Sequence, residues 1–207
     1  MSGTSTLDVY DALIMAASND VIVASINYRV GAFGFLYLDT EEAPGNMGLY
    51  DQALAIKWIK DNIGSFGGDG DALTLFGESA GGGSVSVHLL SPISNHLAKR
   101  VIMQSGSVNA PWSYMTAETA KRIGLALVND VGCGGNVSAI DATIECMRGI
   151  EARNLSLNQW NSYWGILGFP SAPTIDGVFL PKSPIEMLQE GGFPKSEILV
   201  GTNKDEG

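Results

Sequence analysis

A five-residue motif, Gly77-Glu78-Ser79-Ala80-Gly81, constrains most strongly what this chain can fold into. A short apolar run at residues 73–76 precedes it, and a helix-like segment at residues 84–90 follows it. A nucleophile elbow needs this strand–turn–helix context, because the sharp turn requires small neighbours and lifts the serine hydroxyl clear of the sheet. The motif therefore predicts Ser79 as a nucleophile and the Ala80 N–H, at the helix start, as an oxyanion donor.

Short apolar runs alternate with helical patterns along the whole chain. Strands are predicted at residues 21–26, 73–76, 100–103 and 197–200, and helices at 49–62, 84–90, 116–130 and from Ser183 onward. This alternation indicates an α/β fold with a mostly parallel central sheet and helices on both faces. Residues 151–182 show no clean period and are predicted to leave the sheet as specificity loops. We interpret residues 1–207 as one domain with both ends missing, because neither terminus carries a leader, tail or closing helix.

The charge balance argues against one class of partner. The chain has 12 Lys and Arg against 22 Asp and Glu, a net charge of −10. Nucleic-acid binding needs basic patches, so it is not expected here. An acidic surface either speeds the capture of a cationic substrate or merely keeps the protein soluble.

Two cysteines, Cys133 and Cys146, stand close together with two glycosylation sequons nearby, at Asn136 and Asn154. In a secreted chain such cysteines predict one small-loop disulfide, whereas in a cytosolic chain they would more often be unrelated thiols. The two sequons favour the secretory compartment.

A serine nucleophile needs a histidine base and an orienting carboxylate, which in this motif class follow in the order Ser, acid, His. The two histidines, His88 and His96, come too soon after Ser79, so we expect the catalytic histidine beyond residue 207. The acid is expected in the loop after the last predicted strand. Position alone does not choose there between Asp205 and Glu206.

Several blocks resemble those of the cholinesterases in the type-B carboxylesterase family, in their insect form. They are residues 2–10, 27–35 and 42–46, the elbow with the Phe66-Gly67-Gly68 segment before it, and residues 104–107 and 203–207. The resemblance implies an α/β-hydrolase fold, with Glu206 as the triad acid and Ser105 as its hydrogen-bonding support. It also implies a disulfide between Cys133 and Cys146.

The resemblance further assigns substrate-binding residues. Glu78 is implied to help hold a choline cation, and Trp160 to form an aromatic peripheral site. Trp112, Leu167 and Phe169 are implied to narrow an acyl pocket that admits acetyl and crowds butyryl groups. Ordinary core packing is the alternative for Trp160 and Phe169.

The implied function is hydrolysis of acetylcholine at an extracellular, synaptic location, without metal or organic cofactor. A general carboxylesterase for uncharged esters and a cholinesterase-like adhesion protein are the alternatives. The intact elbow argues against the adhesion protein. The histidine, the remaining oxyanion glycines and the main choline-binding tryptophan are expected outside this sequence, so the 207 residues alone should be inactive. A homodimer is compatible with the family, and membrane attachment is expected only through an anchor outside this sequence.

Overall fold

A computed structural model describes residues 3–134, 139–162 and 168–206. The helices are α1 (Leu13–Asn19), α2 (Gly31–Phe35), α3 (Met47–Asn62), α4 (Ala80–Leu90), α5 (Ala117–Asp130), α6 (Ile140–Gly149), α7 (Ala152–Asn158) and α8 (Pro184–Glu190). The strands are β1 (Tyr37–Thr40), β2 (Ala43–Pro44), β3 (Thr74–Glu78), β4 (Arg100–Gln104) and β5 (Glu197–Gly201). Short 3₁₀ helices span Asp8–Tyr10, Ile63–Phe66 and Gln159–Ser162.

The main sheet is parallel, with the strand order β3-β4-β5. Its register pairs Glu78 with Gln104 and Gln104 with Gly201, so the carboxyl ends of all three strands lie at one edge. Loops that leave such an edge are where parallel α/β sheets place their ligands. The parallel sheet and the three strands predicted at 73–76, 100–103 and 197–200 are confirmed.

One face of this sheet is covered by α4. Val85 and Leu89 of α4 pack against Val101 and Met103 of β4 in a buried cluster. On the opposite face Phe76 is 51% exposed. The described residues thus provide a helical layer on one face, and helices on both faces remain a prediction.

The strand predicted at residues 21–26 is wrong. None of the described strands pairs with this segment, and Val21 and Ile22 are 46% and 48% exposed. A β-branched run forms a strand only where a neighbour takes up its backbone hydrogen bonds. In the described part of the chain that neighbour is absent.

The predicted helices at 49–62 and 116–130 are confirmed as α3 and α5, and Thr116 caps α5 by accepting from the Thr119 N–H. The helix predicted from Ser183 onward is confirmed as α8, which begins with a capping box formed by Ser183 and Glu186. Two expectations need correction. The helix after the elbow begins at Ala80 rather than at residue 84, and residues 151–182 contain α7, whose start is capped by Glu151.

Two larger buried clusters support these elements. One joins α3 and α4 to Phe179 and Leu180, both of which are fully buried. The other joins α5, α6 and β1 and includes Cys133. Among the described residues, no helix is both long and apolar enough to cross a membrane.

Candidate active site

Ser79 is the single residue between the end of β3 and the start of α4. Its φ is 55° and its ψ is −115°. Residues other than glycine rarely adopt a positive φ, and such strain costs on the order of 1–3 kcal/mol. Strain of this kind persists only where the surrounding structure holds it, and it concentrates at functional sites. Ser79 therefore has the backbone geometry that a nucleophile elbow requires.

Two glycines make this strained turn sterically possible. A Cβ atom at Gly77 would lie 2.3 Å from the carbonyl carbon of Gly81, and one at Gly106 would lie 2.1 Å from the carbonyl oxygen of Ser79. The sequence motif predicts small residues within the turn. It does not predict Gly106, which lies two residues beyond the end of β4 and approaches Ser79 from there. The available signals were its place just after a strand and within the family-like block at residues 104–107.

Backbone hydrogen bonds hold the turn at the edge of the sheet. The Ser79 N–H donates to the Gln104 carbonyl at 2.8 Å, and the Gly83 N–H donates to the Ser79 carbonyl at 2.9 Å. One strand further, the Ser105 N–H donates to the Gly201 carbonyl at 2.8 Å. The parallel ladder thus continues one step beyond the strands and places Ser79, Ser105 and the loop after Gly201 at the same edge.

The carboxylate of Glu206 is held in the loop after β5. The Ser105 hydroxyl donates to Glu206 Oε1 at 2.7 Å, and the Asn203 N–H donates to the same oxygen at 2.5 Å. These two bonds favour the charged form and lower the pKa of Glu206 below its ordinary value. The sequence position left open whether Asp205 or Glu206 serves as the acid. Glu206 is the carboxylate that Ser105 and Asn203 contact, and its role as the acid stays a prediction.

Other predicted residues lie around the turn. Ala80 is the first residue of α4, so its N–H belongs to the amides that have no partner within the helix. Glu78 is exposed at the end of β3. A Cβ atom at Gly83 would lie 3.6 Å from the Trp112 ring, so this indole packs beside the first turn of α4.

The structure describes only two of the other three predicted specificity residues, Trp160 and Phe169. Trp160 lies in the 3₁₀ helix Gln159–Ser162 and is 44% exposed, which argues against ordinary core packing for its indole. Phe169 is half-buried, so both of its predicted roles stay open. Leu167 lies outside the described residues.

The two histidines lie away from the candidate nucleophile. His88 is near the far end of α4, eight residues beyond Ala80, which is about 12 Å along a helix. It is buried, and its Nε2 and Nδ1 atoms are 2.8 Å from Gln52 Oε1 and Ser94 Oγ respectively. Burial lowers the pKa of His88 to about 4. His96 is exposed, as the sequence predicts.

The remaining predicted features are the disulfide and the two sequons. Cys133 and Cys146 form a disulfide, with a Cα–Cα separation of 5.7 Å. Asn154 is exposed in α7, where its Oδ1 accepts from Asn158 Nδ2 at 2.6 Å, and Asn136 lies outside the described residues. Within the described ranges, no group of three or more His, Cys, Asp or Glu residues could hold a metal ion.

A strained serine turn at the carboxyl edge of a parallel sheet, with an acid held two strands away, is the arrangement typical of serine hydrolases with an elbow motif. The chain belongs to the carboxylesterase family, whose sequence model matches residues 1–207.

Similar proteins bear names from one branch of that family. The chain is 60% identical to an acetylcholinesterase of Leptinotarsa decemlineata and 52% identical to cholinesterase 2 of Branchiostoma lanceolatum, both over 100% of its length. It is 45% identical to acetylcholinesterase 1 of Caenorhabditis elegans over 99% of its length. These alignments cover 34%, 61% and 34% of the respective relatives. The chain therefore spans between about one third and three fifths of the length of these proteins.

Proposed function

We propose that this chain is part of an enzyme that hydrolyses acetylcholine to choline and acetate. The observation that carries the proposal is the strained Ser79 turn, which backbone hydrogen bonds join to the strand end where Ser105 holds Glu206. The names of the similar proteins support a choline ester as the substrate.

Ser79 is the nucleophile in this proposal. Its Oγ attacks the acetyl carbonyl carbon, and the carbonyl oxygen becomes an oxyanion that accepts a hydrogen bond from the Ala80 N–H. Choline leaves as the C–O bond breaks and takes up the proton that Ser79 lost. Water then attacks the acetyl-serine, releases acetate and restores the Ser79 hydroxyl. The glycines that complete the oxyanion hole are supplied by chain outside residues 1–207.

Glu206 orients the general base and stabilises its protonated form. The base is a histidine from chain outside residues 1–207, because His88 is at the far end of α4 with both ring nitrogens engaged and His96 lies beyond that helix, in the loop that follows it. The lowered pKa of Glu206 keeps this carboxylate charged at neutral pH, which is the state that the role requires.

The cationic choline group is held by Glu78 and by aromatic side chains. Glu78 is adjacent to Ser79 and exposed, so its carboxylate is available to a ligand at the sheet edge. The half-exposed indole of Trp160 offers a face to a quaternary ammonium at the peripheral site. Trp112, Phe169 and Leu167 narrow the acyl pocket.

Residues 1–207 are an internal part of one α/β-hydrolase catalytic domain, in which further strands and helices complete the sheet and cover its open face. The protein is extracellular, either secreted or anchored at the outer cell surface of synapses. The disulfide and the exposed sequon at Asn154 support an oxidising secretory route. A homodimer and a membrane anchor outside these residues are compatible with this arrangement.

The test is steady-state kinetics of the full-length protein on three esters: acetylcholine, butyrylcholine and an uncharged isostere of acetylcholine. We expect the highest kcat/KM for acetylcholine and the loss of all turnover in the Ser79→Ala variant. Equal or better turnover of the uncharged ester would make the protein a general carboxylesterase. No turnover of any ester would favour an adhesion role instead.

A further inference from the structure

A buried amide, Asn46, lies immediately before α3 and makes contacts far along the chain. Its side chain is fully buried, with 0% exposed. Asn46 Nδ2 donates to the Thr174 carbonyl at 2.8 Å, and the Thr174 N–H donates to Asn46 Oδ1 at 2.8 Å. The amide therefore pairs with both backbone groups of one residue, as a neighbouring strand would.

On the side opposite Asn46, residues 173–175 form hydrogen bonds with the backbone of Met115. The Met115 N–H donates to the Pro173 carbonyl at 2.7 Å, and the Ile175 N–H donates to the Met115 carbonyl at 2.9 Å. Residues 173–175 thus lie between Met115 on one side and the Asn46 side chain on the other. Their backbone position is fixed from both sides.

A third contact completes the hydrogen bonding of the amide. Asn46 Nδ2 also donates to Asp176 Oδ2 at 2.8 Å, while Asp176 Oδ1 accepts from the Val178 and Leu180 N–H groups at 3.0 and 2.9 Å. Asn46 therefore uses two donors and one acceptor at once, a combination that an aspartate or an alanine lacks. This requirement explains why an asparagine fits the site.

The segment that Asn46 contacts and the Met115 segment that pairs with it carry the proposed acyl pocket. Phe169 lies five residues before Thr174, and Trp112 lies three residues before Met115. We propose that Asn46 is a positioning residue for substrate specificity: by holding residues 173–176 against Met115, it sets the distance between Phe169 and Trp112 and hence the acyl chain that the enzyme accepts. This inference rests on the proposed esterase function and adds a specificity determinant that does not touch substrate.

The experiment compares the full-length enzyme with its Asn46→Ala variant on two pairs of esters, acetyl- and butyrylcholine and the uncharged phenyl acetate and phenyl butyrate. The readout is the ratio of kcat/KM for acetyl over butyryl within each pair. This ratio does not depend on how much of a preparation is folded, so a poorly expressed variant still gives an answer. Asn62→Ala is the matched control, because Asn62 ends the same helix and donates to the Trp58 carbonyl at 2.8 Å.

We expect Asn46→Ala to lower the acetyl preference roughly tenfold in both pairs, because one misplaced pocket wall changes the fit of a methylene or two. Asn62→Ala should leave the ratio unchanged. Asp176→Asn, which places a second amide donor against Asn46 Nδ2, should shift the ratio in the same direction with less damage to folding.

Lower activity of Asn46→Ala with an unaltered ratio in both pairs would overturn the inference and leave Asn46 a purely structural role. So would a parent enzyme that hydrolyses acetyl and butyryl esters equally well. A parent that prefers the uncharged esters would contradict the choline-ester proposal alone, since the phenyl ester pair still tests Asn46.

Discussion

The Ser105 hydroxyl donates a 2.7 Å hydrogen bond to Glu206 Oε1 and thereby joins the end of β4 to the loop after β5. The Asn203 N–H donates to the same oxygen. Both donors stabilise the carboxylate and lower its pKa. A carboxylate held by two fixed donors keeps one orientation, which the acid of a catalytic triad requires in order to orient a histidine.

Replacing Ser105 by alanine should slow the proposed reaction by roughly tenfold, because one of the two donors to Glu206 is lost while the Asn203 bond remains. The loss should fall mainly on kcat, since Ser105 acts through the acid and not on the bound ester. Steady-state kinetics of the full-length enzyme measures this split. Ser107→Ala is the control, because that hydroxyl contacts Asn109 instead. An equal loss in both variants would contradict a specific role for Ser105.

The elbow should tolerate an added methyl group at Gly81 but not at Gly77. A Cβ at Gly77 would lie 2.3 Å from the Gly81 carbonyl carbon, whereas a Cβ at Gly81 meets no described atom within 4 Å. We therefore expect Gly77→Ala to reduce the yield of active enzyme at least tenfold and Gly81→Ala to retain most of it. Titration of active sites with an irreversible organophosphate would count the competent serines in each preparation. Full occupancy in Gly77→Ala would mean that the turn can relax.

The elbow and its three parallel strands are predictable from sequence because their signals are local. Residues 73–76 and the motif that follows predict both the strand end and the turn, and the structure places β3 and α4 there. The pairing of Cys133 with Cys146 is local in the same sense. The choice of Glu206 over Asp205 needed the family resemblance, because adjacent carboxylates in one loop differ only in the donors that reach them.

The features that escaped prediction depend on partners far along the chain. The run at 21–26 has strand composition but no described partner strand, so composition alone misled. Gly106 matters through its approach to Ser79, and Asn46 matters through Thr174. Both residues stand in blocks that resemble the cholinesterases, but the sequence does not show what either one contacts, because only the folded chain brings the partners together.

The disulfide should contribute stability without affecting catalysis. It closes a short loop, and the chain-entropy model gives about 3 kcal/mol for a loop of this length. We expect the Cys133→Ala, Cys146→Ala double variant to lose about that free energy of unfolding and to keep its kcat/KM, because the bridge belongs to the α5–α6 cluster and not to the elbow. Urea unfolding with and without dithiothreitol checks this. Reductant should destabilise the parent to the level of the double variant, and a further effect on the variant itself would show that another disulfide contributes.

His88 is a buried neutral base at the interface of α3 and α4. Its two ring nitrogens contact Gln52 and Ser94, and its ring meets Phe179 edge-on at 5.8 Å between centroids. Burial lowers its pKa from 6.5 to about 4. The unfolded chain, where the pKa is ordinary, therefore binds a proton at this residue between about pH 6.5 and 4 while the folded chain does not.

Because the unfolded state binds that extra proton, the contribution of His88 to stability must fall as the pH drops through this window and must level off below about pH 4. From pH 7 to pH 5 the difference in pKa amounts to about 2 kcal/mol. His88→Gln should lower the stability at pH 7, because a well-fitted buried group is replaced, but it should lose about 2 kcal/mol less than the parent between pH 7 and pH 5. Urea unfolding at pH 7 and at pH 5 measures both the loss of stability at pH 7 and the change in stability between the two pH values. His96→Gln is the matched control, since His96 is exposed and its replacement makes the same change of residue type outside the core. If the His88 variant kept the full pH dependence, the acid sensitivity would arise from other groups and His88 would be protonated without cost in the folded protein.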